Sequence, residues 1–338
     1  MKRHYRLLSI VFLGALSAGS LLAQSYKVAG SIKIPGNGGW DYITADSQNR
    51  KLYVSHGTEV DVLDLDSEKV IGQIPGMNHI HGIALANDLD KGFISDGGTN
   101  NVVVFDLKSL KVTGKISAGE NPDGILYDAG SKRVFVFNGR SKNATVIDAG
   151  SGSVAQTLSL DGKPEFPVDD GKGNVYVNIE DKSEIEKIDA KSMNVTEHWS
   201  LAPCESPSGL AIDKGNRRLF SVCDNKLMAV VDADSGKVLA TPAIGEGPDA
   251  AGFDPESKLA FSSNGETGTL TVVKENGKNQ FSVAQTLKTA DGARTMAIDE
   301  KTHKIYLPTA DLGAATGGAG HARRSMVPGT FRLVVVSR

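Results

Sequence analysis

Short apolar runs recur along the chain at a nearly constant interval. Leu52-Tyr53-Val54, Gly92-Phe93-Ile94, Val134-Phe135-Val136, Val175-Tyr176-Val177, Leu219-Phe220-Ser221, Leu259-Ala260-Phe261 and Ile305-Tyr306-Leu307 begin 40, 42, 41, 44, 40 and 46 positions apart. The runs are short and β-branched, and no window of helical length carries an apolar stripe at helical spacing, so each run predicts a buried strand. The same grammar surrounds each of them. A preceding strand ends in a turn acid: Asp46, Asp128, Asp170, Asp213, Asp254 or Asp299, with Ala86 at that place in the second unit. A polar turn follows the run, as in Asn138-Gly139 and Asn264-Gly265. A third strand comes next (residues 60–64, 102–106, 144–148 and 229–232), and a tight turn such as Asp234-Ser235-Gly236-Lys237 opens a fourth.

Four short strands per ~40 residues make one propeller blade, and a blade alone cannot bury both of its faces. The pattern therefore predicts an all-β fold, a seven-bladed β-propeller of four-stranded antiparallel blades. The seventh unit ends in a third strand at residues 331–336 and has no fourth, while residues 26–34 form a spare strand near the other end. Pairing the two lets the N-terminal strand close the last blade and removes two open sheet edges.

The Tyr/Phe-Val second strands, the openings Pro122-Asp123-Gly124 and Pro207-Ser208-Gly209, and the third strands ending in Val-Ile/Val-Asp look like YVTN-type repeats. From residue 26 to 338 the chain resembles the bacterial YncE-like seven-bladed propellers. That resemblance implies an exported protein, often with no reaction assigned; the fold itself hosts binding modules, lyases and hydrolases alike.

The ends and the charge add a location. Lys2, Arg3 and Arg6 precede an apolar stretch from Leu7 to Ala23, the layout of a signal peptide over residues 1–23 ahead of a single propeller domain over 24–338. Its removal takes away three cations and moves the net charge from −3 to −6, and nothing else is long and apolar enough to span a bilayer. The expected location is periplasmic or secreted, with no membrane span after cleavage. A negative net charge without a basic run excludes wrapping nucleic acid.

Counting back five positions from each turn residue gives the start of each innermost strand, at one mouth of the central channel: Asp41, His81, Asp123, Glu165, Ser208, Asp249 and Arg294. Four carboxylates, one His and one Arg converge there, suited to a cationic, hydroxylated or metal-bearing ligand, although any water-filled mouth is polar. The ends of the second strands give an outer set: His56, Asp96, Asn138, Asn178, Cys223, Asn264 and Asp311. In His79-Ile80-His81 the two imidazoles would face one side of an extended segment and, with His56 and a ring acid, could hold a divalent metal; hydrogen-bonding or packing roles are the alternative. The connection from Pro308 to Thr330 is Gly/Ala-rich and carries His321, Arg323 and Arg324, which would place cations over the acidic ring as a lid, unless the insertion is simply solvated. Cys204 and Cys223 lie at neighbouring strand ends 19 positions apart and suit a disulfide; free thiols or a thiolate ligand beside His81 are the alternatives.

No nucleophile elbow, zinc helix, Walker loop or dinucleotide fingerprint is present. The reading is an exported module that binds a small polar ligand or another exported protein on the mouth face. Two rivals stand beside it. One is a metal-assisted lyase or hydrolase using His81, His56 and the ring acids, with Arg294 or Arg323 stabilising negative charge. The other is a structural scaffold that uses the blade rims.

Overall fold

A computed structural model describes residues 25–316 and 323–338. The expected signal peptide (1–23) and His321 lie outside the described residues, and Arg323 contributes the first residue of a strand, Arg323–Met326.

The described residues form seven four-stranded antiparallel sheets and one two-stranded ribbon. Blade 1 runs Trp40–Asp46, Lys51–His56, Glu59–Asp64, Lys69–Ile74. Blades 2 to 6 repeat that order, opening with Ile80–Ala86, Pro122–Asp128, Pro164–Asp169, Pro207–Asp213 and Pro248–Asp254. Each innermost strand packs on the next, and the last on the first, so the ring is closed. Apart from strands, the only regular elements among the described residues are two short 3-10 turns, Asn87–Leu89 and Glu180–Lys182.

Blade 7 is assembled from both ends of the chain. Lys27–Lys33 pairs antiparallel with Arg332–Ser337, which pairs with Lys304–Thr309 and then Ala297–Asp299. Beyond the strand, Gln285 of blade 6 grips the Tyr26 backbone, accepting from its N–H at 2.9 Å and donating to its carbonyl at 2.7 Å.

The apolar side chains explain why closure matters. They gather into seven clusters, one per blade–blade interface, and not into a central core. Tyr53 and Phe105 fill the interface of blades 1 and 2, Phe137 and Ile188 that of blades 3 and 4, and Tyr306 and Leu52 that of blades 7 and 1. The second and third strands are buried on both faces, which is why they read as continuous apolar runs.

The recurrent acids hold turns. Asp64, Asp106, Asp148 and Asp189 each accept a backbone N–H from the Ser three residues on, at 2.6–2.8 Å. The serine hydroxyls and these backbone N–H groups together hold the four carboxyls below their ordinary value. The inner-strand acids also clamp neighbouring blades: Arg50 of blade 1 reaches both Asp299 oxygens of blade 7 at 2.8 and 2.9 Å, and Arg217 of blade 5 reaches Asp170 of blade 4 at 2.8 Å.

Cys204 and Cys223 are bonded to each other, with Cα atoms 5.7 Å apart and both residues fully buried. Free thiols and a thiolate metal ligand are thereby removed. The bond ties the connection entering blade 5 to the end of that blade's second strand.

Two outcomes test this architecture. Deleting residues 26–34 should lower the melting temperature of the whole ring in one cooperative transition; a truncated protein that melts as the intact one does would break the closure argument. Replacing both cysteines by Ala should cost roughly 3 kcal/mol in denaturant unfolding, the value for a loop of this size.

Candidate functional site at the channel mouth

The innermost strands carry an irregularity at the same place in six blades. Their pairing with the second strand shifts register between Trp40 and Ile43, Ile80 and Ile83, Pro122 and Ile125, Pro164 and Pro167, Pro207 and Leu210, and Pro248 and Ala250. A bulge re-aims a side chain, and here the displaced residues include Asp41, His81, Asp123, Glu165, Ser208 and Asp249. The next residue is kept small where blades crowd: a Cβ on Gly124 would meet the Glu165 carbonyl oxygen at 2.5 Å, and one on Gly209 the Ala251 nitrogen at 2.5 Å.

Side chains from one blade then fix the ring residue of the next. Ser95 of blade 2 donates to the Asp123 carbonyl at 2.6 Å, Asn178 of blade 4 to that of Ser208 at 2.9 Å, and Ser208 itself to that of Pro248 at 2.9 Å. Ser263 of blade 6 donates to the Arg294 carbonyl, and Thr295 of blade 7 to that of Asp41 at 2.7 Å. The ring is a set of side chains on a stapled backbone.

The structure brings all seven ring residues together. Arg294 donates to Asp249 at 2.6 Å and to Asp41 at 3.3 Å; His81 Nδ1 pairs with Asp41 and stands 3.7 Å from Asp123. Asp41, Asp123, Glu165, Ser208, Asp249 and Arg294 line a cavity of about 300 Å³. Lys163, Glu180, Ser206, Asp224 and Tyr42 join them there, so six carboxylates face two cations, with His81 packed behind. Lys163 bonds Glu165 at 2.6 Å and also Glu180.

The cavity is blind. Tyr42 of blade 1 and Phe166 of blade 4, from opposite sides of the ring, meet edge to face with centroids 5.1 Å apart. A second cavity of about 460 Å³, lined by Ile83, Ile125, Pro167, Ile298 and the far side of Phe166, opens on the opposite face.

Crowded acids and burial set the protonation. The Asp123 carboxyl is raised by desolvation, partly offset by His81, with Asp41 and Asp249 adding repulsion. Desolvation and the Asp123 charge raise Glu165. Asp249 is raised by desolvation against the pull of Arg294. Desolvation disfavours the His81 imidazolium, but the bond to Asp41 and the charge of Asp123 prevail and lift it to about 9. Asp123 Oδ1 and His81 Nε2 are buried without a hydrogen-bond partner.

The three histidines proposed as a metal set do not assemble. His56 turns into its own blade, bonds Asp61 at 2.8 Å and packs on Phe331 with ring centroids 4.3 Å apart. His79 is exposed and sits at φ 54°, not in an extended segment, although its ring touches that of His81 at 4.6 Å. At the mouth, the donors that converge are Asp41, His81 and Asp123, while His56 converges separately with Glu59 and Asp61 within blade 1. Within the expected lid, Leu312–Thr316 pairs with Arg323–Met326 as a ribbon. Leu312, with Trp40, Asp249 and Arg294, lines a depression of about 720 Å³ beside the mouth.

Sequence reasoning missed Tyr42, Lys163, Glu180 and Asp224. Tyr42 was detectable in principle: it directly follows a ring residue, where blades 2, 3, 5 and 6 have Gly or Ala. Lys163 and Asp224 stand in connections, outside the strand alignment that defined the ring.

Ring, blades and channel together define the class of protein: a seven-bladed β-propeller with a blind, acid-lined mouth. No protein-family model matches the chain, and no curated protein matches it in sequence. Solved structures similar to it include the hydrazine synthase of Kuenenia stuttgartiensis, at TM-score 0.70 and 15% identity over 81% of this chain and 94% of that one. U3-55K matches at TM-score 0.74 and 9% identity, covering 90% and 97%, and the WD40 repeats of RRP9 at 0.75 and 9%, covering 93% and 99%. At such identities the likeness concerns the fold alone.

The ring gives stability a distinctive pH dependence. Asp123 and Glu165 have raised folded-state values, so the folded protein holds their protons more tightly than the unfolded chain, and stability falls as pH rises past the usual carboxylate range. His81, raised from 6.5 to about 9, adds stability that is complete below 6.5 and lost as pH climbs through 9. The melting temperature should therefore decline from mildly acidic to alkaline pH. An Asp123→Asn/Glu165→Gln variant should show a shallower decline in scanning calorimetry; an unchanged slope would contradict the assignment.

Proposed function

We propose that the chain is an exported, YncE-like propeller that binds a small, cationic, polar ligand at its channel mouth. The observation that carries this reading is the blind cavity of about 300 Å³ in which six carboxylates face two cations. A cation entering it relieves the repulsion among Asp41, Asp123 and Asp249 and gives the bare Asp123 oxygen a partner. The volume, at the low end for ligand pockets, suits a small molecule and not a polymer segment. Export is supported by the basic-then-apolar start of the sequence and by the buried disulfide. The family reading is supported by the YVTN-type repeats and the blade count.

Metal-assisted chemistry is a second reading, favoured by one observation: Asp41, His81 and Asp123 present ligand atoms within 4.8 Å of one another. A divalent ion there would take the place of the proton that His81 and Asp41 share.

Calorimetric titration of protein spanning 24–338 with putrescine, glucosamine and argininamide tests the first reading. At least one amine should bind, more weakly at high salt. The Asp123→Asn/Glu165→Gln variant should lose at least about tenfold in affinity, because it removes two carboxyls that give up their protons to an entering cation in a desolvated site. Amine binding that the variant leaves untouched, or no binding by any of the three, would overturn it. Tight binding of Zn2+ or Mn2+ that depends on His81 would favour the second reading.

A further inference from the structure

A cluster on blade 4, outside the mouth cavity, draws on three separate pieces of the chain. Glu184 and Glu186 lie on the third strand, Glu184–Asp189; His198 lies on the fourth, Asn194–Ser200, directly opposite Glu186; Asp161 comes from the connection between blades 3 and 4. Residues two apart on a strand share a face, so Glu184, Glu186 and His198 project together, and Asp161 closes over them.

His198 Nδ1 stands 3.4 Å from Asp161, 3.9 Å from Glu184 and 3.7 Å from Glu186. All three distances exceed the ~2.7–3.2 Å of a good hydrogen bond, so the imidazole is bonded to none of the carboxylates yet surrounded by them. The four ligand atoms all lie within 4.8 Å of one another. A tetrahedral shell with bonds of about 2.0–2.1 Å has edges of about 3.3–3.4 Å, so an ion would draw the side chains slightly inward from the 3.4–3.9 Å that now separate them from the imidazole.

Glu186 is the independent sign of a ligand. Its side chain is 0% exposed, at the interface with blade 3, and its Oε2 has no hydrogen-bond partner. Oε1 accepts only the Asp161 N–H, at 2.7 Å. Other blades that place a polar group here satisfy it locally: Asp61 bonds His56, and Asn138 and Asn264 donate to Thr145 and Thr271. In blade 4 the residue at the place of His56 is Ile179, which offers nothing. The nearest cationic group, His198, stands 3.7 Å away and makes no hydrogen bond to it, so the buried carboxylate is poorly compensated.

We propose that Asp161, Glu184, Glu186 and His198 bind a divalent transition-metal ion, which pins the outer strands of blade 4 to the connection arriving from blade 3. One imidazole and three carboxylates favour zinc or a similar ion over calcium, which prefers six to eight oxygen ligands. The site shares no residue with the mouth, so either reading can fail without the other.

The test uses chelator-stripped protein and Zn2+ as the probe, with calorimetry and thermal melting as readouts. Zn2+ should bind the Asp41→Asn/Asp123→Asn variant, in which the mouth is disabled, at one ion per chain. Adding Glu186→Gln or His198→Ala to that background should weaken binding at least tenfold; loss of even an outer-shell partner costs about 10–100-fold. Zn2+ should raise the melting temperature of the background but not of the Glu186→Gln form. Metal-free Glu186→Gln should melt no lower than its parent, since it removes a buried charge; His198→Ala, at a half-exposed site, guards against a folding defect. Zn2+ affinity unchanged in both variants, Ca2+ binding as tight as Zn2+, or no Zn2+ bound below millimolar concentration would overturn the assignment.

Discussion

Everything in this molecule depends on the ring being closed. Its apolar side chains are distributed over seven blade–blade interfaces. A blade therefore has no core of its own, and opening the ring at any one point would expose two apolar faces at once. Closure falls to blade 7, where Lys27–Lys33 and Arg332–Ser337 come from the two ends of the chain. Arg50–Asp299 and Arg338–Asp254 add charged ties on either side of that blade.

A closed ring also makes the site. Seven innermost strands begin at one face, so whatever residue stands at that position is brought together with six others regardless of separation in sequence. A bulge in six of the blades turns their side chains toward the channel, and hydroxyls and amides of neighbouring blades hold backbone carbonyls of the ring. A concentration of like charge is then tolerated because the scaffold around it is fixed. Desolvation, with the repulsion that the fixed scaffold keeps in place, raises the carboxyls of Asp123, Glu165 and Asp249.

The fold was legible because period and alternation are local signals. The spacing of the Tyr/Phe-Val runs, the turn acids and the missing fourth strand of the last unit already implied blades, count and closure, and the adjacent strand ends implied the pairing of Cys204 with Cys223. The ring residues were legible for the same reason, since position in the repeat fixes position in space. What failed to follow was anything set by side-chain direction. His56 occupies a repeat position near the mouth face, yet it turns toward Asp61 and Phe331. The left-handed backbone at His79 broke the assumed extended segment. Lys163 and Glu180 reach the cavity from connections, where no periodicity applies. The blade 4 cluster joins adjacent strands with a connection, and no linear motif marks it.

The pairing in blade 7 has a mechanical side. Lys27 lies opposite Ser337, and Lys33 opposite Arg332, so the two chain ends leave the sheet at the same edge of one antiparallel pair. A pull that separates those ends loads the backbone hydrogen bonds one after another, as a zipper is opened, and not all together in shear. The apolar interfaces thus hold the ring as one body, while its clasp carries a load one hydrogen bond at a time. An attachment to a surface or a partner through one end alone would leave the clasp unloaded, whereas tethering both ends would put the weakest direction of the fold under tension.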